Sequence, residues 1–233
     1  MHIRRHEDHN YSLFFKRTIA AQIHLVGSFA AVIGMIVLLS LTLENPNNQH
    51  FWACLVFGVA GVLMFGSSTI YHFLDDGFQI SPALERWLRN FDHFSIYVFI
   101  AATYTPFLVN VVAAPWKNIL LILIWSIAFL GIIYVHYKPR LPYWAQHRMV
   151  YTTLFVFMGW TVVFRIEEVL NFLSPHNFRL LLFGGLSYTI GAVIYAIKRP
   201  KLFAPVFGFH EIWHIMVMIG YGFHYFLILN FYR

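Results

Sequence analysis

Charge is what this 233-residue chain has least of. Asp, Glu, Lys and Arg make up 11% of it, against about 25% in a soluble domain, while 59% of its residues are hydrophobic and its mean hydropathy is +0.64. Too few charges remain to coat a water-facing globule, which excludes a soluble enzyme, a disordered chain and a nucleic-acid binder. Cysteine is nearly missing as well. The single Cys54, set in an apolar run, rules out both a disulfide framework and a zinc site built from cysteines. The net charge of +6 does not imply a nucleic-acid partner on a chain this apolar; in membrane proteins, excess Lys and Arg orient the loops. Histidine is the residue in excess, with 13 copies.

A helix needs about 20 apolar residues to cross about 30 Å of hydrocarbon. A window of that length finds seven candidate spans: Thr18 to Leu41, Phe51 to Leu74, Phe91 to Val112, Trp116 to Tyr137, Met149 to Phe164, Phe178 to Ile197 and Phe209 to Phe231. The predicted fold is an all-α membrane protein, a seven-transmembrane helix bundle. It consists of a short basic cytoplasmic N-terminus (1–17) and a single transmembrane domain (18–233), with no soluble domain expected at either end. The first span is too long, and its flanks are wrong, for a cleaved signal peptide, so it is expected to remain as an anchor.

Breakers mark the connections: Glu44-Asn45-Pro46-Asn47-Asn48, Ser81-Pro82, Ala114-Pro115, Lys138-Pro139-Arg140-Leu141-Pro142, Ser174-Pro175 and Arg199-Pro200. Trp52, Trp87, Trp116, Trp144 and Trp213 fall near predicted span ends, as an aromatic belt requires. Pro106 should kink the third span or end its regular part.

All 16 basic residues vote on orientation. With the N-terminus inside, twelve are cytoplasmic: Arg4, Arg5, Lys16, Arg17, Arg86, Arg89, Lys138, Arg140, Arg148, Lys198, Arg199 and Lys201. Four lie outside: Lys117, Arg165, Arg179 and Arg233. Short-loop Lys and Arg decide topology, so the N-terminus is expected in the cytoplasm and the C-terminus outside. The chain is expected to be an integral membrane protein with multiple passes. No internal repeat is visible, which weakens a transporter of inverted halves.

An ionisable group within a span costs about 2.5–3.5 kcal/mol at the bilayer centre and is a functional candidate by default. Few occur here. Ser68 and His72 stand four apart near the end of the second span, Asp92 opens the third, and His210 and His214, again four apart, open the seventh. Residues four apart share a helix face. With the N-terminus inside, the end of the second span and the starts of the third and seventh all lie at the cytoplasmic side, so these groups share one depth. Three neutral imidazoles and a water form the open tetrahedral arrangement of a catalytic zinc site, although imidazole also suits iron and nickel.

The remaining histidines have plainer readings. His24, His50, His136, His147 and His176, with His2, His6 and His9, read as interfacial hydrogen-bonding residues, and His224 as a packing residue in mid-span. His93 adjoins Asp92, points about 100° away around the helix, and is at most an outer partner of the site. His210-Glu211-Ile212-Trp213-His214 also spells the metalloprotease H-E-x-x-H. That signature needs a third ligand, no acid follows His214, and His224 is nearly three turns deeper. Asp76-Gly77, read as a loop, precedes the motif. An intramembrane metalloprotease is therefore a minor alternative.

These residues resemble the haemolysin III family and its eukaryotic relatives, the progestin and adipoQ receptors, within the wider group of alkaline-ceramidase-like membrane hydrolases. The resemblance covers nearly the whole chain: Ser68-x-x-x-His72, then Phe91-Asp92-His93-Phe94-Ser95-Ile96-Tyr97 with Thr103-Tyr104-Thr105-Pro106-Phe107, and finally His210-x-x-x-His214. It implies that His72, His210 and His214 hold zinc, that Asp92 contacts the metal directly or through its water, and that Ser68 lines the site. The short N-terminus departs from the receptors, so hormone reception is not expected.

The function this predicts is zinc-dependent hydrolysis of a lipid amide, ceramide-like, at the cytoplasmic leaflet, the partners being the bilayer and a lipid substrate. The alternative from another class is a membrane sensor of lipid homeostasis with a structural zinc. A cytolysin, which the family label suggests, lacks support from the sequence, because the intramembrane polar groups cluster at one end and trace no pore.

Overall fold

Backbone groups inside a bilayer have no water to bond, so a spanning chain must close its hydrogen bonds within helices. The computed structural model of this chain does so over residues 19–43, 48–203 and 207–233, which are the residues it describes. Among them, all secondary structure is helical except one isolated antiparallel bridge between Phe203 and Phe207. Seven helical segments are long and apolar enough to cross a membrane: Ile19–Thr42, Asn48–Asp75, Pro82–Val111, Trp116–Arg140, Arg148–Phe172, Pro175–Ile197 and Phe209–Leu229. The basic residues before Ile19 and His2, His6 and His9 lie outside the described residues, as do positions 44–47 of the first connection.

Apolar side chains cover the outside of the bundle. Val26, Phe29, Ile33 and Ile36 of the first span and Ile122, Phe129 and Leu130 of the fourth all point outward. In water such faces would drive association; against acyl chains they are at no disadvantage. The protein is an integral, multi-pass membrane protein.

The helices overrun the hydropathy windows, because a helix continues past the hydrocarbon while the window sees only its apolar part. The third begins at Pro82, not Phe91: Ser81 accepts a hydrogen bond from the Leu84 N–H, and Pro82 takes the first helical position. Its polar first turns carry the Glu85–Arg89 ion pair (3.2 Å). Ser174 and Pro175 start the sixth in the same way. The second runs on to Gly77, so Asp76 and Gly77 belong to its last turn and not to a loop. The third also passes through Pro106 without ending and stops at Val111.

The fifth span departs most from the 16-residue expectation. It comprises helix Arg148–Gly159, a 3-10 stretch Thr161–Arg165 and helix Ile166–Phe172. A break at membrane depth leaves backbone groups to satisfy. The Tyr104 hydroxyl of the third span does this, donating to the Gly159 carbonyl (2.6 Å) and accepting from the Val162 N–H (3.0 Å). Arg165 and Glu168 pair beyond the break. The charged residues that ended the apolar window thus sit on a helix that continues.

The first four helices pack in chain order, the seventh closes on the first and sixth, and the sixth packs against the fifth, which reaches back to the third. The fourth packs outside this ring. Within the ring lies a cavity of about 270 Å³ lined by residues of every span except the fourth. Four of the five tryptophans expected at the interfaces, Trp52, Trp87, Trp116 and Trp144, are exposed near helix ends. Trp213 instead turns inward, lining the cavity and packing over Gly191, where a Cβ would stand 3.0 Å from its ring.

Candidate metal centre

His210 and His214 occupy the first two turns of the seventh span. That helix starts at Gly208, whose N–H is bonded by the Glu211 carboxylate (2.7 Å). Glu211 is thereby engaged as a helix cap, which removes the acid an H-E-x-x-H protease would aim at its metal. One turn apart on one face, both imidazoles reach across to His72 of the second span. The Nε2 atoms of His210 and His72 are 3.3 Å apart, and those of His214 and His210 are 3.0 Å apart. The three rings meet edge to face, with centroids 4.6–4.9 Å apart. Among the described residues, these three alone form a group whose possible ligand atoms all lie within 4.8 Å of one another.

Hydrogen bonding by itself does not account for this geometry. An imidazole nitrogen offers either one in-plane proton or one in-plane lone pair, yet His210 Nε2 faces two nitrogens at once. At most one of the two contacts can therefore be a well-directed hydrogen bond. A cation between them would be met by all three lone pairs. Four-coordinate zinc with bonds of about 2.0–2.1 Å sets its ligands roughly 3.3 Å apart, a spacing close to those of His210 with His72 and with His214. The donor set, three imidazoles without thiolate, suits zinc or a neighbouring transition metal.

Asp92 is not part of that group, and it does not open its helix. It lies ten residues, about 15 Å, inside it. It lines the same cavity as Ser68, His24 and His214. Its backbone is tied to the second span: Ser95 Oγ donates to the Asp92 carbonyl (2.6 Å) and lies 3.0 Å from Ser67 Oγ. Ser68, on the face it shares with His72, is buried, and its hydroxyl faces the Asp92 carboxyl. His93 turns away, its Nδ1 2.6 Å from the Arg89 carbonyl and its ring against Tyr151.

The plain readings hold for several other histidines. His50 meets the Tyr232 hydroxyl (3.4 Å), and His147 caps the fifth span through the Met149 N–H (3.4 Å). His224 packs against Gly184, where a Cβ would fall 2.3 Å from its ring, and faces the Leu181 carbonyl (3.3 Å). His24 requires a correction. It is not interfacial but 3% exposed, and its Nε2 lies 2.8 Å from His214 Nδ1. The signal was available in the topology: residue 24 stands shortly after the start of the first span, at the same end of the bundle as the start of the seventh.

The comparisons with known proteins agree with the architecture. The family model described as Haemolysin-III related matches residues 14–225. The chain is 30% identical over 217 residues to "Hemolysin-3" of Bacillus cereus, covering 93% of this chain and 92% of that protein. It is 28% identical over 206 residues to "Hemolysin-3 homolog" of Bacillus subtilis, covering 88% and 89%. To the human "Monocyte to macrophage differentiation factor" it is 26% identical over 198 residues, covering 85% and 76%. With a family model matched along almost its full length and relatives on both the bacterial and the animal side, this chain belongs to the haemolysin III family, within the progestin and adipoQ receptor superfamily.

Proposed function

We propose that the protein is a zinc-dependent hydrolase of a lipid amide, acting at the cytoplasmic leaflet of the bacterial inner membrane. The observation that carries the reading is the convergence of three imidazole Nε2 atoms at the edge of a largely apolar cavity whose wall also holds Asp92 and Ser68. His72, His210 and His214 would hold the ion. Zinc in an open three-histidine site brings the pKa of a water toward 7 and polarises a carbonyl.

The chain's own groups supply the rest. Asp92 accepts a proton from the attacking water and delivers it to the leaving amine. Ser68 Oγ, buried in the cavity wall beside Asp92, donates to the oxygen on which charge develops. Ile96, Phe99, Ile100, Phe107, Leu181 and Leu227 line a cavity suited to an acyl chain and hostile to a sugar or nucleotide. The cytoplasmic assignment follows from the twelve basic residues expected on the side where the site lies.

Purified protein carrying one zinc per chain, incubated with a panel of ceramides and phospholipids, is expected to release fatty acid from an amide-linked member. Absence of release from every lipid ends the catalytic reading and leaves the metal site standing.

A further inference from the structure

The first span meets the rest of the protein along one narrow stripe. Ala20, His24, Gly27, Ala31, Gly34 and Leu38 are buried, whereas the large apolar residues between them face outward. That stripe is built of small residues for close helix packing, and a histidine has no packing reason to be in it. Burying an imidazole costs free energy unless its polar atoms are bonded. Among the described residues, the ring nitrogens of His24 bond only to His214: Nε2 and Nδ1 lie 2.8 and 3.2 Å from His214 Nδ1. The two rings are nearly perpendicular (85°), with centroids 4.0 Å apart. The Phe65 ring also meets the His24 ring nearly perpendicularly (centroids 5.2 Å apart, 86°). Phe65 comes that close because Gly27 carries no side chain; a Cβ there would stand 2.7 Å from the Phe65 ring.

The contact uses the nitrogen of His214 that does not face the other two histidines. His214 turns Nε2 toward His210 and Nδ1 toward His24. A ligating nitrogen must offer a lone pair, so the ring proton has to sit on the opposite nitrogen, and an acceptor placed there selects that tautomer and fixes the ring. His24 itself is outside the group of mutually close ligand atoms.

We infer that His24 is a positioning residue of the metal centre: it accepts the His214 Nδ1–H, holds Nε2 free for the cation, and couples the first span to metal binding. The inference rests on the metal reading above. It assigns to a residue with no ligand role the control of how tightly the ligand set binds.

The test is zinc affinity, by chelator competition, of the full-length protein and of H24L, H24Q and H210A, together with the visible spectrum of the Co2+ forms and the thermal stability of each apoprotein. H24L fills the space but offers no acceptor and should weaken zinc binding about 10- to 100-fold, as loss of a metal ligand's hydrogen-bond partner does, with an altered Co2+ spectrum. H24Q, whose side-chain oxygen falls near the Nε2 position, should restore most of the affinity and the wild-type spectrum. H210A should lose the metal.

Wild-type affinity and spectrum in H24L, alongside metal loss in H210A, overturns the inference and spares the metal site. A drop in H24L that H24Q does not recover, matched by an equal loss of apoprotein stability, assigns His24 to packing alone and also overturns it. Failure of the wild type itself to bind zinc or Co2+ removes the metal reading and this inference together.

Discussion

His210 Nε2 stands 3.3 Å from His72 Nε2 across 138 residues of sequence, and 3.0 Å from His214 Nε2 on the other side. A nitrogen with one lone pair or one proton cannot direct it at two such neighbours at once, so the contact that joins the second and seventh spans is expected to be made through an ion. Purified protein should contain about one zinc per chain by elemental analysis, and H210A should contain little. Chelation should also lower the melting temperature, since a ligand at 100 times its Kd adds about 2.7 kcal/mol to the folded state. Full metal in H210A would remove the site assignment.

Asp92 lies in the cavity wall outside the group of ligand atoms. Its replacement should therefore separate chemistry from metal binding. D92N is expected to keep zinc content and melting temperature while lowering amide turnover by about 10²- to 10⁴-fold, the range a general acid-base group supplies. Unchanged turnover in D92N with full zinc would take the proton-transfer role away from Asp92. A purely structural zinc predicts no selective chemical defect in D92N.

Tyr104 closes the break in the fifth span through the Gly159 carbonyl and the Val162 N–H. Y104F keeps the ring and deletes both bonds. Hydrogen bonds between membrane helices average about 0.6 kcal/mol, so the variant should lose about 1 kcal/mol. In a protein of this size that is a melting temperature lower by roughly 2–4 °C, measured in detergent. An unchanged value would show that the Gly159–Val162 backbone is satisfied without Tyr104.

The orientation counted from basic residues is open to direct labelling. The one native thiol, Cys54, is buried. Exposed His176 and Lys201 lie at the start of the sixth span and shortly after its end. In intact cells, a membrane-impermeant maleimide should label H176C and leave K201C unlabelled until the cells are permeabilised. The reverse pattern would place the metal centre on the outer side and refute the cytoplasmic assignment.

Much of this architecture is readable along the chain because a bilayer imposes a one-dimensional code. Each span must be about 20 residues of apolar helix, so hydropathy finds all seven. Where the code stops, the windows fail in a consistent direction. Helix Pro82–Val111 starts before its apolar part at a Ser-Pro cap, and the fifth span carries Arg165, Glu167 and Glu168 beyond a break that a window treats as an end. Within the site, the i, i+4 pair His210/His214 was legible because one helix face is a local property. His72 joined it through topology.

His24 marks the boundary between the two kinds of information. Its residue type and place in the first span fit an interfacial histidine equally well, and nothing local distinguishes a ring at a lipid boundary from one inside a seam. Sequence alone determined the seven crossings, the residues able to bind a metal and the end of the bundle where they gather, because these follow from composition, helical period and chain direction. Only the tertiary structure decided which stripe of the first helix turns inward, and so brought His24 within 2.8 Å of His214 while Trp213 left the interface for the cavity. The rotation of a helix about its axis is set by packing against its neighbours, a relation between distant segments that no single segment encodes.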